Sequence, residues 1–89
     1  MIKILAVCGV GQGTSLLLKM NIENEIKNLD IDATVDNTSV SMAMGEQADF
    51  IVTNSEFAKH LKNHPSKIII VENYFDENEI KTVLEKYLK

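Results

Sequence analysis

The 89-residue chain has no arginine, one cysteine, one proline and no long apolar run, and each shortage narrows the chemistry open to it. Without arginine there is no guanidinium to fork onto a phosphate or a guanine edge. The formal net charge is −4, which also disfavours nucleic acid as a partner. Any anion site must therefore be built from backbone N–H groups, helix ends or lysine. No apolar stretch approaches the roughly 20 residues that span a bilayer, so direct membrane insertion is not expected. Met1–Lys3 leads into a short apolar run without a charged n-region or cleavage site, and the expectation is a cytosolic protein. A single Cys8 forms neither an internal disulfide, a CxxC redox pair nor a zinc cluster. It is either a small buried filler or a nucleophile.

What is present is a balanced globular composition, 45% apolar and 25% charged, in a length that suits one domain over residues 1–89. Residues 2–7, Ile-Lys-Ile-Leu-Ala-Val, read as a buried parallel strand that ends at a glycine-rich loop. Apolar positions Leu18, Ile22, Ile26 and Leu29 recur at helical spacing and predict a helix over residues 16–29, with Thr14 or Ser15 as its N-cap. Residues 31–35 alternate as a second, more exposed strand, and residues 36–39, Asp-Asn-Thr-Ser, carry turn chemistry. Residues 40–47 fit a short helical turn or loop. A third strand is expected over 48–53, then a short helix from an N-cap at Ser55 to about Lys62, broken by residues 63–66, Asn-His-Pro-Ser. Residues 67–71 read as a fourth buried strand. Ile80, Val83, Leu84, Tyr87 and Leu88 share one helical face behind an Asp76/Glu79 capping box. Strands alternating with helices at short spacing require right-handed crossovers and a parallel sheet covered on both faces. The fold class expected is α/β, a small three-layer, doubly wound sandwich of four parallel strands with a phosphate loop after the first.

In such sheets ligands sit outside the carboxyl ends of the strands, and Cys8 stands at the end of the first one. Gly9, Val10, Gly11, Gln12, Gly13, Thr14 and Ser15 follow it, three glycines in five positions and then two hydroxyls. Glycines let a backbone nest approach an anion closely, and a helix N-terminus beyond them favours both a thiolate and a bound phosphoryl group. These eight residues form the candidate site, with Cys8 as nucleophile and the rest as phosphate cradle. The alternative is a buried Cys8 beside a tight turn.

Three neighbouring motifs are excluded. Gly13 is followed by Thr14 and the nearest lysine is Lys19, so this is not a Walker A loop. The glycine spacing departs from the dinucleotide fingerprint, although Asp30 or Asp32 weakly imitates its ribose acid. A cysteine-dependent phosphatase uses an arginine six residues after its cysteine, and position 14 is threonine. Backbone amides and hydroxyls suit receiving and passing on a phosphoryl group better than hydrolysing it.

The run Ile4-Leu5-Ala6-Val7-Cys8-Gly9-Val10-Gly11-Gln12-Gly13-Thr14-Ser15, continued by residues 16–20 and by the strand-like Ala48-Asp49-Phe50-Ile51-Val52, resembles IIB components of the bacterial phosphoenolpyruvate-dependent sugar phosphotransferase system, the ascorbate-specific type above all. Galactitol and lactose/cellobiose types share the cysteine and the fold with differently reading loops. The resemblance implies that Cys8 accepts a phosphoryl group from a phosphohistidine on a cognate IIA protein. It further implies that Cys8 passes the group to a sugar, L-ascorbate, held by the membrane-embedded IIC component. No nucleotide, metal or other cofactor is implied, and the protein is expected in the cytoplasm, peripherally associated with its transporter. Two large partners in turn call for a shallow exposed site, for which Val10, Met42 and Met44 are candidate surface residues; the methionines could equally fill core gaps. His60 and His64 read as solvated residues, and Asp49 and Glu72 lack a paired carboxylate and receive no role. Two other classes stay open: a non-catalytic anion-binding or regulatory module with Cys8 as bystander, and a thiol redox sensor that would need an intermolecular disulfide.

Overall fold

The computed structural model describes residues 2–8 and 12–88, with 12–15 described by backbone alone. Four strands, β1 (Ile2–Cys8), β2 (Ala33–Ser39), β3 (Phe50–Thr53) and β4 (Lys67–Ile70), form one all-parallel sheet in the order β2-β1-β3-β4. Helix α1 (Gln12–Asn28) links β1 to β2, α2 (Val40–Ala43) follows β2, and α3 (Ser55–Ala58) runs into a 3₁₀ turn over Lys59–Leu61. Helix α4 (Glu77–Leu88) closes the chain. The doubly wound α/β architecture is the one the strand–helix alternation requires.

The pleat of β1 divides the core in two, because successive side chains on a strand point to opposite faces. Ile4, Ala6 and Cys8 pack with Leu18, Ile22 and Ile26 of α1 and Ile80 and Leu84 of α4. Leu5 and Val7 point the other way and pack with Ala43 of α2, Ile51 and Leu61. The central strand is thus buried on both faces, which is why its sequence is nearly continuous in apolar residues.

Several boundaries differ from those read in the sequence. Helix α1 starts at Gln12, so Gln12, Gly13, Thr14 and Ser15 lie in its first turns, and neither Thr14 nor Ser15 precedes it as an N-cap. Strand β2 runs through Asp36, Asn37, Thr38 and Ser39, which pair with Leu5, Ala6, Val7 and Cys8. Backbone pairing to a long central neighbour overrides local turn chemistry there, and an edge strand tolerates polar side chains facing water. The N-cap of α3 is Asn54, whose Oδ1 accepts from the Phe57 amide at 2.8 Å, with Ser55 inside the helix. Asp76 caps α4 as expected, accepting from the Asn78 and Glu79 amides, but the Glu79 carboxylate turns away from a reciprocal box and takes the amides of Glu72 and Asn73.

His64 is buried, contrary to the solvated position expected of it, while His60 is exposed. Its Nδ1 accepts from the Ser66 amide at 3.0 Å, so Nε2 carries the proton and donates to the carbonyls of Ala43 at 2.9 Å and Glu46 at 3.0 Å. The Ala43 carbonyl at the end of α2 also accepts from the Glu46 amide, and the imidazole ties that helix end to the turn that follows it. Asp49 and Glu72 also have structural tasks: Asp49 Oδ2 accepts from the Lys3 amide and Glu72 Oε1 from the Ser55 amide.

Candidate functional site

Cys8 is the last residue of β1, buried at 7% exposure on the sheet face covered by α1 and α4. Helix α1 runs from Gln12, and its first four residues are those whose N–H groups an α-helix leaves without intrahelical partners. The positive end of the helix dipole therefore lies a few residues beyond the thiol in the chain. Gly9, Val10 and Gly11, and the side chains of Gln12, Gly13, Thr14 and Ser15, lie outside the described residues.

The strand order makes the β1/β3 boundary the point where the topology reverses, since the chain leaves β1 for β2 on one side and returns to β3 on the other. A crevice at that reversal is the usual ligand site of open parallel sheets. The paired register of β1 with β3 ends at Ala6↔Val52. Beyond it, the Val7 carbonyl accepts from Thr53 Oγ1 at 3.0 Å and from the Tyr74 hydroxyl at 3.1 Å. The same phenol oxygen accepts from the Asn54 amide at 3.1 Å, so Tyr74 bridges the ends of β1 and β3.

Tyr74 reaches this position because its loop is stitched in place. Asn21, buried in α1, donates from Nδ2 to the Tyr74 carbonyl at 2.9 Å. Glu79 holds the two amides before Tyr74, and Asn73 Oδ1 accepts the Phe75 amide. Burial raises the Tyr74 phenol above its ordinary value of 10.0; the Thr53 and Asn54 hydrogen bonds oppose this, and the charges of Cys8 and Glu72 raise it further. The phenol is therefore neutral, with its proton available to Val7.

The sequence singles out Cys8 as a candidate and does not single out Thr53, Asn54, Tyr74 or Asn21, which the structure gathers around the Val7 carbonyl and the Tyr74 loop. Tyr74 sits in a polar stretch with no periodicity. The one signal available was general: a buried tyrosine needs a partner for its hydroxyl. Met42 and Met44, at 64% and 48% exposure, are on the surface and do not fill core gaps. Met42 belongs to the short α2 that directly follows Ser39, the strand partner of Cys8. Phe75, next to Tyr74, is 72% exposed. Among the described residues no helix is long and apolar enough to cross a membrane.

A parallel α/β domain with a cysteine at the end of its central strand and a helix opening shortly after it defines a class, and sequence comparison narrows it. The profile of the family described as the lactose/cellobiose-specific IIB subunit of the PTS, the phosphotransferase system, matches residues 3–86. The chain belongs to that family: it is a IIB component of a sugar phosphotransferase system. An ascorbate-specific PTS system EIIB component of Mycoplasma pneumoniae is 39% identical over 88 residues, covering 96% of this chain and 93% of that protein. One of the same name from Shigella dysenteriae is 31% identical over 91 residues, covering 99% and 90%. The lactose-specific IIB component domain of Streptococcus pneumoniae superposes with a TM-score of 0.64 over 97% of each chain at 17% identity, which shows the shared fold.

Proposed function

We propose that this chain is a phosphocysteine carrier that moves a phosphoryl group from a IIA phosphohistidine to a sugar, L-ascorbate, bound by a membrane IIC component. The observation that carries the reading is the placement of Cys8 at the carboxyl end of central β1, followed by the helix start at Gln12, in a member of the IIB family. The Cys8 sulfur attacks phosphorus; the P–N bond to the donor imidazole breaks as the S–P bond forms. A sugar hydroxyl then attacks phosphorus, the S–P bond breaks, the thiolate is regenerated and the hydroxyl proton is released. Both steps demand positioning and distributed hydrogen bonds more than acid–base power. Gly9, Val10, Gly11, Gln12, Gly13, Thr14 and Ser15 are the proposed cradle for the phosphoryl oxygens, a role that backbone amides and hydroxyls fill in a chain without arginine.

The names of the curated relatives favour ascorbate over galactitol. The exposed Met42 and Met44 supply adaptable apolar surface for two successive partners, and the carrier works in the cytoplasm at the face of its transporter. The test is a reconstituted system with phosphoenolpyruvate, the general phosphotransferase proteins, the cognate IIA, and IIC in vesicles. Wild type is expected to form ascorbate phosphate, whereas Cys8→Ser, folded by circular dichroism, is expected to fall to the rate measured without any IIB. Transfer retained by Cys8→Ser overturns the carrier reading. Phosphate binding equal in both proteins, with no transfer by either, points to a non-catalytic anion-binding module.

A further inference from the structure

We propose that the hydroxyls of Tyr74 and Thr53 are positioning groups for Cys8: both donate to the carbonyl of the Val7–Cys8 peptide and hold the end of β1 in place at the β1/β3 crevice. The inference rests on the carrier reading and adds to it the residues that aim the sulfur.

A peptide unit is planar, and among the described residues none is cis, so a fixed Val7 carbonyl fixes the plane that carries the Cys8 nitrogen and Cα. The opposite side of Cys8 is fixed by its pairing with Ser39 of β2. Cys8 thus leaves the sheet from a backbone held on two sides. The clamp is itself rigid. Thr53 is fully buried and Tyr74 is 7% exposed; their hydroxyl oxygens lie 3.4 Å apart. Tyr74 is anchored at both ends, by Asn21 at its carbonyl and by the Asn54 amide at its phenol.

Satisfying one carbonyl does not require this arrangement, since one donor meets the need that burial creates. Two buried hydroxyls on the same oxygen, delivered from a strand end and from a loop 21 residues further on, restrain it against displacement in two directions. They do so at the peptide preceding the candidate nucleophile. Transfer between two partners depends on the alignment of the attacking atom, and a misplacement of about 1 Å costs on the order of a hundredfold in rate.

The test uses full-length Tyr74→Phe, Thr53→Val and Thr53→Ser, each checked for folding by circular dichroism. In single-turnover transfer from phosphorylated IIA, the first two are expected to lower the maximal rate roughly tenfold with the half-saturating IIA concentration unchanged, and Thr53→Ser to stay within about twofold of wild type. A second measurement is independent of the donor. Alkylation by iodoacetamide at fixed pH, read by intact mass on the single cysteine, should depart from the wild-type rate by about threefold or more in Tyr74→Phe and Thr53→Val, as the buried thiol is re-aimed, and not in Thr53→Ser. The inference is overturned if folded Tyr74→Phe and Thr53→Val both alkylate at the wild-type rate, or if Thr53→Ser is impaired as much as Thr53→Val. If wild type accepts no phosphoryl group yet the alkylation rates separate as stated, the clamp stands and the carrier reading fails.

Discussion

Tyr74 is the residue at which packing, electrostatics and the candidate site meet. Its hydroxyl gives Val7 a donor and Asn54 an acceptor, so Tyr74→Phe leaves the Asn54 amide unpaired and is expected to cost about 1–2 kcal/mol in urea unfolding at neutral pH. The alkaline limb is a sharper signature. A phenol raised above 10.0 holds its proton more tightly in the folded state than in the unfolded one. Its contribution is fully present below that pH and is lost as pH rises through the folded value. Wild-type stability should therefore fall above about pH 10, and Tyr74→Phe should show a flatter profile over the same range. An identical alkaline decline in both proteins would remove Tyr74 as its cause. Cys8 stands out in the sequence as a candidate because a strand pattern, a glycine-rich run and a helix pattern follow one another directly. Tyr74 was not, because its value depends on a crevice between strands 46 residues apart in the chain. His64 failed for a related reason: lysine and asparagine neighbours in sequence say nothing about the two carbonyls, of Ala43 in α2 and of Glu46 beyond it, that it meets in space.

Among the elements, α1 has the best defined end. Asp30 adopts φ 57, and the Asp30 and Ile31 amides donate back to the carbonyls of Lys27 and Ile26. This is a Schellman closure, with aspartate where glycine is favoured. Ile31 packs against the same core as Ile26, which completes the hydrophobic contact usual in that motif. Asp30→Gly relieves the left-handed strain and is expected to raise stability by about 0.5–1 kcal/mol, read as a higher urea midpoint with unchanged slope. A lowered midpoint would mean that the aspartate carboxylate supplies more than its backbone conformation costs. The helical faces of α1 and α4 were readable from apolar spacing, because both lie on one core and expose the opposite side. Strand β2 was readable only in its first half. Its polar second half is a strand because it pairs with Leu5–Cys8, a long-range fact that local turn residues conceal. The start of α1 was misplaced for the converse reason: Gly13 argues locally against helix, yet the helix opens at Gln12.

At the scale of the whole molecule, the two half-cores on either side of β1 explain how so small a chain holds the backbone of its candidate nucleophile steady. Ile4, Ala6 and Cys8 are gripped from one face, Leu5 and Val7 from the other, and the strand ends at the topological reversal with the Val7 carbonyl, one residue before its end, clamped. The parallel sheet and its winding followed from the order of strands and helices, and the family followed from the run around Cys8. The bridge between β1 and β3 required the three-dimensional structure. The central claim, that Cys8 carries phosphate, is tested most directly by intact mass. Wild type and Cys8→Ser are incubated with phosphoenolpyruvate, the general phosphotransferase proteins and the cognate IIA. One added phosphoryl group is expected on wild type, mapped to Cys8, and none on Cys8→Ser. An equal adduct on both proteins, or none on either while IIA is itself phosphorylated, would contradict the claim.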